Sequence, residues 1–379
     1  MKRFLICQLA CFGDCLYATT ICSQLKKDFP GCHITWAVAE KYHSILLHND
    51  LIDSLWVLPL PDGDYYDEGW RQMEKEAQEK KSQGLFDEII FSQILPRNWK
   101  HFTGIIRSTI LNTYPGIITV SPQPVVHLTE QEIGNVQNFA AHNKLAAYKY
   151  IVLFECSPGS GQSKVNVDFA INVAKGYLEK QKDICFILST HKPLEQAHEG
   201  IIDGSSLSYR ENAELTKYCT LLIGCSSGIT WLATSNWAKK IPMLQLLNKN
   251  NKIYTGICYD HYLAGLDADI ILERVDYDIP LVHDIIRSVT RNGMQKAREN
   301  YHQDYKPSYR HFAYITKQVL KKATVADAYH LIELHGNIHK HYSTERLKRI
   351  FYYEYFMVYA KKIIKYPFIK LAAVSKKSS

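Results

Sequence analysis

The stretch LACFGDCLYATT, residues 9–20, decides how this sequence is read. Phe4 to Leu9 is an apolar run that predicts a buried strand, and Leu16 to Phe29 shows helical spacing of its apolar residues. Gly13 and Asp14 stand at the handover. Two roles are open to that aspartate. It can be the N-cap of a helix over 15–29, or a carboxylate one position outside the helix, free to face a cleft. Ligands of open parallel sheets bind outside the carboxyl ends of the strands, so a loop that follows a strand is where chemistry is expected.

The handover recurs along the chain. RFLICQL, HITWAVA, SLWVLPL, FDEIIFSQ and GIITVS are strand candidates in the first half, with helical patterns between them at Leu16 to Phe29 and Glu68 to Lys81. A weakly hydrophobic break, TEQEIGNVQNFAAHNKLAAYK, precedes a fresh start, with a linker expected near 140–149. YIVLFEC, DICFILST, TLLIGCS, PMLQLL and ADIILERV then repeat the rhythm, and after about residue 284 helix-type sequence runs to the end. Crossovers of this length predict parallel βαβ units.

The 379 residues suit two domains and an extension, and 46% hydrophobic with 22% charged residues is the balance of a soluble globular chain. Ten cysteines without a C-x-x-C pair argue against a zinc or disulfide framework and for reduced thiols in the cytoplasm. MKRFLICQLACFG imitates a signal peptide, but Asp14 interrupts the apolar run and no A-x-A site follows, so a buried first strand is expected instead. Nowhere do 18 apolar residues follow one another, which speaks against a membrane span. The net charge of +7 is local: residues 345–379 hold nine Lys/Arg against Glu345 and Glu354, and the rest of the chain balances to zero.

Two loops after strands look built for an anion. SPGSGQSK, residues 157–164, offers Ser157, Gly159, Ser160 and Gly161 ahead of a helix, with Lys164 as a point charge. It is neither a dinucleotide fingerprint, lacking the third glycine, nor a Walker loop, and the plain alternative is a βα turn with serine caps. In IGCSSGITWLATSNW, residues 223–237, Ser226 and Ser227 are placed to cap a helix beginning near Gly228. Two such termini aimed at one crevice suit a diphosphate; two ordinary caps are the alternative.

With these residues in view, the opening resembles glycosyltransferase family 9, the heptosyltransferase-like enzymes. Gly13, Asp14, Phe29, Pro30, Trp36, Val38, Asp53 and Val57 occupy matching places, as do the Pro158-Gly159 turn, NAELTKYCTLLIGCSSGITWLA and the strand opening at Pro242. The likeness covers roughly residues 1 to 250. It implies a GT-B fold, α/β, with two Rossmann-like doubly wound parallel-sheet domains facing a cleft and here a helical basic C-terminal extension. The expected divisions are 1–142 for the acceptor, 143–318 for the nucleotide sugar and 319–379 for the extension. The donor would be a nucleotide-diphospho-sugar, ADP-linked in most of the family, and the acceptor a saccharide or glycolipid of lipopolysaccharide or surface polysaccharide. Asp14 would be the general base of an inverting transfer, with Gly13 beside it. His191 falls in a loop that meets the nucleoside in the family, or is a surface histidine. Neither a metal site nor another cofactor is expected.

The chain departs from the family at D-T-G-x-x-H, where it has Ser226-Ser227-Gly228-Ile229-Thr230-Trp231. Ser226 is no carboxylate, and Trp231 carries no proton, although an indole can stack on a base or sugar. Lys164 is the nearest candidate for the family's K-R-W-P lysine. Two rival readings stay open: a non-catalytic GT-B nucleotide-sugar-binding protein, and an unrelated α/β nucleotide-binding enzyme. In the tail, ERLKRIFYYEYFMVYAKKIIKYPFIKLAAVSKK interleaves rings with lysines, so a helix would show one greasy and one basic side. That suits an anionic membrane surface at the inner face, with packing on the first domain as the alternative and nucleic acid, for which no binding module is present, not expected.

Overall fold

The computed structural model describes residues 1–157, 159 and 161–375; at Pro96 and from 361 onward the description is of the backbone alone. The chain forms two compact units. One comprises residues 1–93, 114–251 and 255–306, and the other 94–113, 252–254 and 307–379.

Two parallel sheets make the first unit. β1 (Arg3–Cys7), β2 (His33–Ala39), β3 (Ser54–Leu58) and β4 (Glu88–Phe91) lie in the order β3-β2-β1-β4, with Ile6 opposite Trp36 on one side and Ile90 on the other. β5 (Tyr150–Glu155), β6 (Ile184–Ser189), β7 (Ile201–Asp203), β8 (Leu221–Gly224), β9 (Met243–Leu246) and β10 (Ile271–Arg274) lie in the order β10-β9-β8-β5-β6-β7. The central strands are buried along their length, as their uninterrupted apolar runs require of sheets covered on both faces. In the first sheet the strand order reverses between β1 and β4, and in the second between β5 and β8. Those switch points place the loops after β1, β5 and β8 where a ligand would sit.

The first unit's helices are α1 (Phe12–Asp28), α2 (Glu68–Ser82), α4 (Glu130–His142), α5 (Val167–Leu178), α6 (Glu211–Leu215), α7 (Gly228–Leu232), α8 (Cys258–Leu263) and α9 (Ile279–Tyr301); α3 (Ile106–Leu111) belongs to the second. Three expectations are corrected. GIITVS is not a strand: Gln24 of α1 reaches over and its Oε1 accepts from the amides of Thr119 (2.7 Å) and Val120 (3.1 Å), while Ile117 is 81% exposed. A side chain thus takes the bonds that a neighbouring strand would have made. Much of the expected break is helix α4, started by a capping box in which Thr129 and Glu132 satisfy each other's backbone amides. The edge strand β7, three residues between Gly200 and Gly204, was too short to show a pattern.

Arg210 binds these parts together. Its guanidinium is buried, donates to both carboxylate oxygens of Glu132 (2.8 and 2.9 Å), and reaches the carbonyls of Leu47 and His127. One side chain therefore ties the first sheet's loops to α4.

In the second unit α10 (Tyr309–Lys322), α11 (Val325–Ile338) and α12 (Thr344–Ser375) pack with the 94–113 segment around Phe102, Phe312, Val319, Leu331, Leu347 and Phe351. His335 of α11 and His339, its C-cap, donate to the carbonyls of Phe102 (2.8 Å) and Thr103 (2.6 Å). Gly104, at φ +86°, lies so close to His335 that a Cβ would stand 3.1 Å from its ring. Among the described residues no helix is long and apolar enough to cross a membrane.

Removing the buried Arg210 leaves the half-buried Glu132 carboxylate and the carbonyls of Leu47 and His127 without their donor. Arg210→Ala should cost about 3–5 kcal/mol in urea unfolding at neutral pH. Burial works to raise the Glu132 pKa, but Arg210 and the Thr129 amide outweigh it and hold the group below its ordinary value. The pair's stabilisation is therefore present above the unfolded carboxylate pKa and is lost as pH falls, so the gap between wild type and variant should close in acid.

Candidate active site

The turn after β1 is fixed from the other side of its switch point. Gln93, just past β4, accepts at Oε1 from the amides of Leu9 (2.8 Å) and Ala10 (3.1 Å) and donates to the carbonyl of Tyr65 (2.6 Å). Helix α1 then begins at Phe12, earlier than the periodicity indicated, with Cys11 as N-cap. Asp14 is accordingly neither N-cap nor outside the helix: it is the third helical residue, and its carboxylate accepts from the backbone amide of Cys11. It is partly buried. Desolvation raises its pKa from 3.8 to about 7, against the pull of that one amide. Beside it the Cys11 thiol meets the Tyr66 hydroxyl at 3.1 Å, and Tyr42 and Tyr65 join their hydroxyls at 3.1 Å.

Gly13 has a different task from the one its position in a turn suggested. A Cβ there would stand 3.1 Å from the Trp231 ring. Trp231 is buried, edge-on to Tyr17 at 4.7 Å, and Phe12 stacks on Tyr209 at 4.4 Å. The first turn of α1 and the α7 region thus meet through aromatic faces, and the indole expected to stack on a ligand packs against the protein itself.

At the start of α7 the anion already present is the protein's own. Glu155, the last residue of β5 and 2% exposed, accepts from the amides of Cys225 (2.7 Å) and Ile229 (3.0 Å) and from the hydroxyls of Ser227 (2.5 Å) and Thr230 (2.7 Å). Ser226, at φ +53°, donates its amide to Gln245 Oε1 (3.0 Å) and its hydroxyl to the carbonyl of Thr255 (2.5 Å). Gly228 is held to glycine by Tyr209, whose hydroxyl lies 2.1 Å from where a Cβ would be. Ser226, Ser227 and Gly228 are therefore engaged in internal bonds and packing.

The loop after β5 is different. Gly159 and Gly161 face open space, Gly161 at φ +70°, and Lys164 is exposed with no ion-pair partner among the described residues. Ser157 is partly buried, and Ser160 lies outside the described residues. The loop is anchored at its far end, where Ser163 shares a 3.2 Å bond with the Tyr277 hydroxyl and Asn248 donates its amide to the Gln162 carbonyl at 2.8 Å. Asn166 caps α5 by accepting from Phe169 (2.8 Å), so Ser157–Lys164 precedes the helix instead of forming its first turn. His191 is exposed after β6. Among the described residues no three His, Cys, Asp or Glu side chains come together as metal ligands.

The sequence reading missed Glu155, Gln93, Gln245 and the tyrosines at 42, 65, 66 and 209. A charged or amide residue at the carboxyl end of a buried strand was the available sign for Glu155 and Gln245. For the tyrosines, contributed by three separate segments, there was none.

No protein-family model matches the sequence, and no curated protein matches it. Solved structures define the fold, which is GT-B: two parallel α/β sheets followed by C-terminal helices. The chain is similar to the glycosyl transferase family 9 structure from Veillonella parvula, with a TM-score of 0.52 and 16% identity over 88% of this chain and 98% of that one. It also matches E. coli heptosyltransferase WaaC with ADP (TM-score 0.45, 13% identity, 76% of this chain and 99% of that one). E. coli ADP-heptose lps heptosyltransferase II aligns with a TM-score of 0.44 and 14% identity, over 67% and 87% of the two chains. A structure of the family that the first 250 residues resemble is thus among those whose fold this chain shares.

Glu155→Ala should unfold more readily by about 3–5 kcal/mol, since four donors lose their acceptor, and Glu155→Gln should cost less. Asp14→Asn should act the other way. A carboxyl with a raised folded pKa burdens the fold only once it ionises, so stability falls as pH rises from about 4 to 7. The variant should match wild type in thermal unfolding near pH 4 and exceed it by on the order of 2–4 kcal/mol near pH 8.

Proposed function

We propose that this chain is an inverting glycosyltransferase that moves a hexose- or heptose-type sugar from a nucleotide-diphospho-sugar to a saccharide or glycolipid acceptor. The observation that carries the proposal is Asp14, a partly buried carboxyl with a pKa of about 7 in the first turn of α1, beside a sheet's switch point. A general base serves best when its pKa lies near the working pH. Asp14 takes the proton of the acceptor hydroxyl as that oxygen attacks the anomeric carbon. The bond from that carbon to the diphosphate breaks on the opposite face, and its electron pair leaves with the phosphate oxygen.

The exposed loop with Gly159, Gly161 and Lys164 is the site for the leaving diphosphate, its amides and ammonium meeting the developing charge. Ser226, Ser227 and Gly228 serve it indirectly by keeping the loop after β8 in place around Glu155, and Trp231 serves by packing on Gly13. His191, exposed after β6, meets the nucleoside in this reading. An ADP-linked donor, an acceptor of lipopolysaccharide or surface polysaccharide, and work at the inner membrane face complete the reading, in line with the family resemblance. One observation favours a second reading, a GT-B protein that binds nucleotide sugar without turnover: Ser226 and Trp231 replace a family Asp and His, and both are buried.

Transfer measured with ADP-, GDP-, UDP- and CMP-sugars separates the two. Asp14→Asn should lower kcat by about 100-fold or more while leaving donor binding by thermal shift intact. kcat/KM of wild type should rise with pH through an apparent pKa of about 7. Lys164→Ala should weaken donor binding about tenfold. Unchanged transfer in Asp14→Asn removes the base; donor binding without any transfer supports the second reading.

A further inference from the structure

Over residues 344–360, helix α12 carries large apolar side chains on two sides. Leu347, Phe351 and Val358 are buried in the second unit's core, and between them Glu354 meets Lys317 at 3.4 Å. Away from that core Tyr352 (59%), Tyr353 (61%) and Phe356 (66%) are exposed. The expected contrast of a greasy and a basic side therefore does not describe residues 344–360, where the outward side carries aromatic rings together with exposed Arg346, Lys348 and Arg349. An exposed cluster of large rings on a folded protein marks a surface that something covers.

Beside it lies an open cavity of about 750 Å³ whose lining includes Tyr309, Ser343, Arg346, Arg349 and Tyr353. The Arg346 guanidinium is held 4.1 Å over the Tyr309 ring, a contact that fixes the cation through its face and leaves its in-plane N–H donors for an acceptor. It forms no ion pair among the described residues. Arg349 bonds Glu345, one turn back along the exposed helix.

From this arrangement we infer that the outer side of α12 docks on an anionic bilayer, with Tyr352, Tyr353 and Phe356 at the level of the headgroups and Arg346 receiving a lipid phosphate in the cavity against Tyr309. Charge complementarity selects this occupant. On this side exposed Arg346, Lys348 and Arg349 outnumber exposed Glu345, so a second copy of the chain would bring the same sign to the same face, whereas an acidic leaflet attracts it. Rings with one polar edge suit the interface between headgroups and acyl chains, and the flanking cations add the attraction that makes such binding depend on lipid charge. The inference stands on the second unit alone and does not need the transfer reaction.

The full-length chain should sediment with phosphatidylcholine vesicles containing about a third phosphatidylglycerol and stay in solution with phosphatidylcholine alone. Tyr352→Ser, Tyr353→Ser and Phe356→Ser together should weaken binding about tenfold or more, and Arg346→Gln by several-fold, with thermal unfolding unchanged because all four side chains are exposed. Raised salt should release the protein, and inorganic phosphate at matched ionic strength should compete no better than chloride. Equal binding to neutral vesicles, wild-type binding by the ring variant, or displacement specific to inorganic phosphate would overturn the inference. So would a dimer in light scattering that the ring variant abolishes. Donor binding, measured on the same variants by thermal shift, keeps this outcome separate from that of the transferase proposal.

Discussion

A single buried carboxylate organises the centre of the first unit. Glu155 ends the middle strand of the larger sheet, where an unpaired charge would be expensive, and four donors from the loop after β8 and the start of α7 surround it. A helix terminus has amides without partners, and a strand end brings a charge without solvent; each removes the other's penalty. The loop's conformation, including the left-handed Ser226, follows from where those donors must point.

From that loop the constraint passes to the candidate base. With α7 fixed, the Trp231 ring takes a set position, and it comes so near the first turn of α1 that a Cβ at 13 would crowd it. Asp14 is the next residue. Its carboxylate is pressed among thiols and phenols, with one backbone amide to stabilise its charge, and a pKa of about 7 is the result. The same surroundings that raise its pKa also make it a burden on the fold once ionised, which is the tension expected of the proton acceptor we propose it to be. The two candidate anion loops differ accordingly. The loop after β8 is engaged with Glu155, while the loop after β5 keeps its glycines and lysine open to solvent.

The second unit rests on different physics. Its three long helices and the 94–113 segment share an apolar core, and two histidines supply the bonds that the carbonyls of Phe102 and Thr103 would otherwise lack. Both rings are held well below the ordinary histidine pKa, at about 3 and 4, chiefly by burial, so they act here as neutral donors.

What the sequence determined was everything that depends on neighbours along the chain. Apolar runs bounded by turn residues marked nine of the ten strands, and the Gly13-Asp14 handover with the serine- and glycine-rich loops marked the strand ends where a ligand belongs. A hydrophobic period is local, and so it can be read. GIITVS had the composition of a strand yet lost its pairing to Gln24, and the partner of an extended segment is chosen by tertiary contact. The same holds for the turn into α1, held by Gln93 from just past β4, and for the anion at α7, supplied by Glu155 from 70 residues away. Only the folded chain decides which of several eligible groups satisfies a buried donor, because that choice turns on distance in space, which sequence separation does not encode.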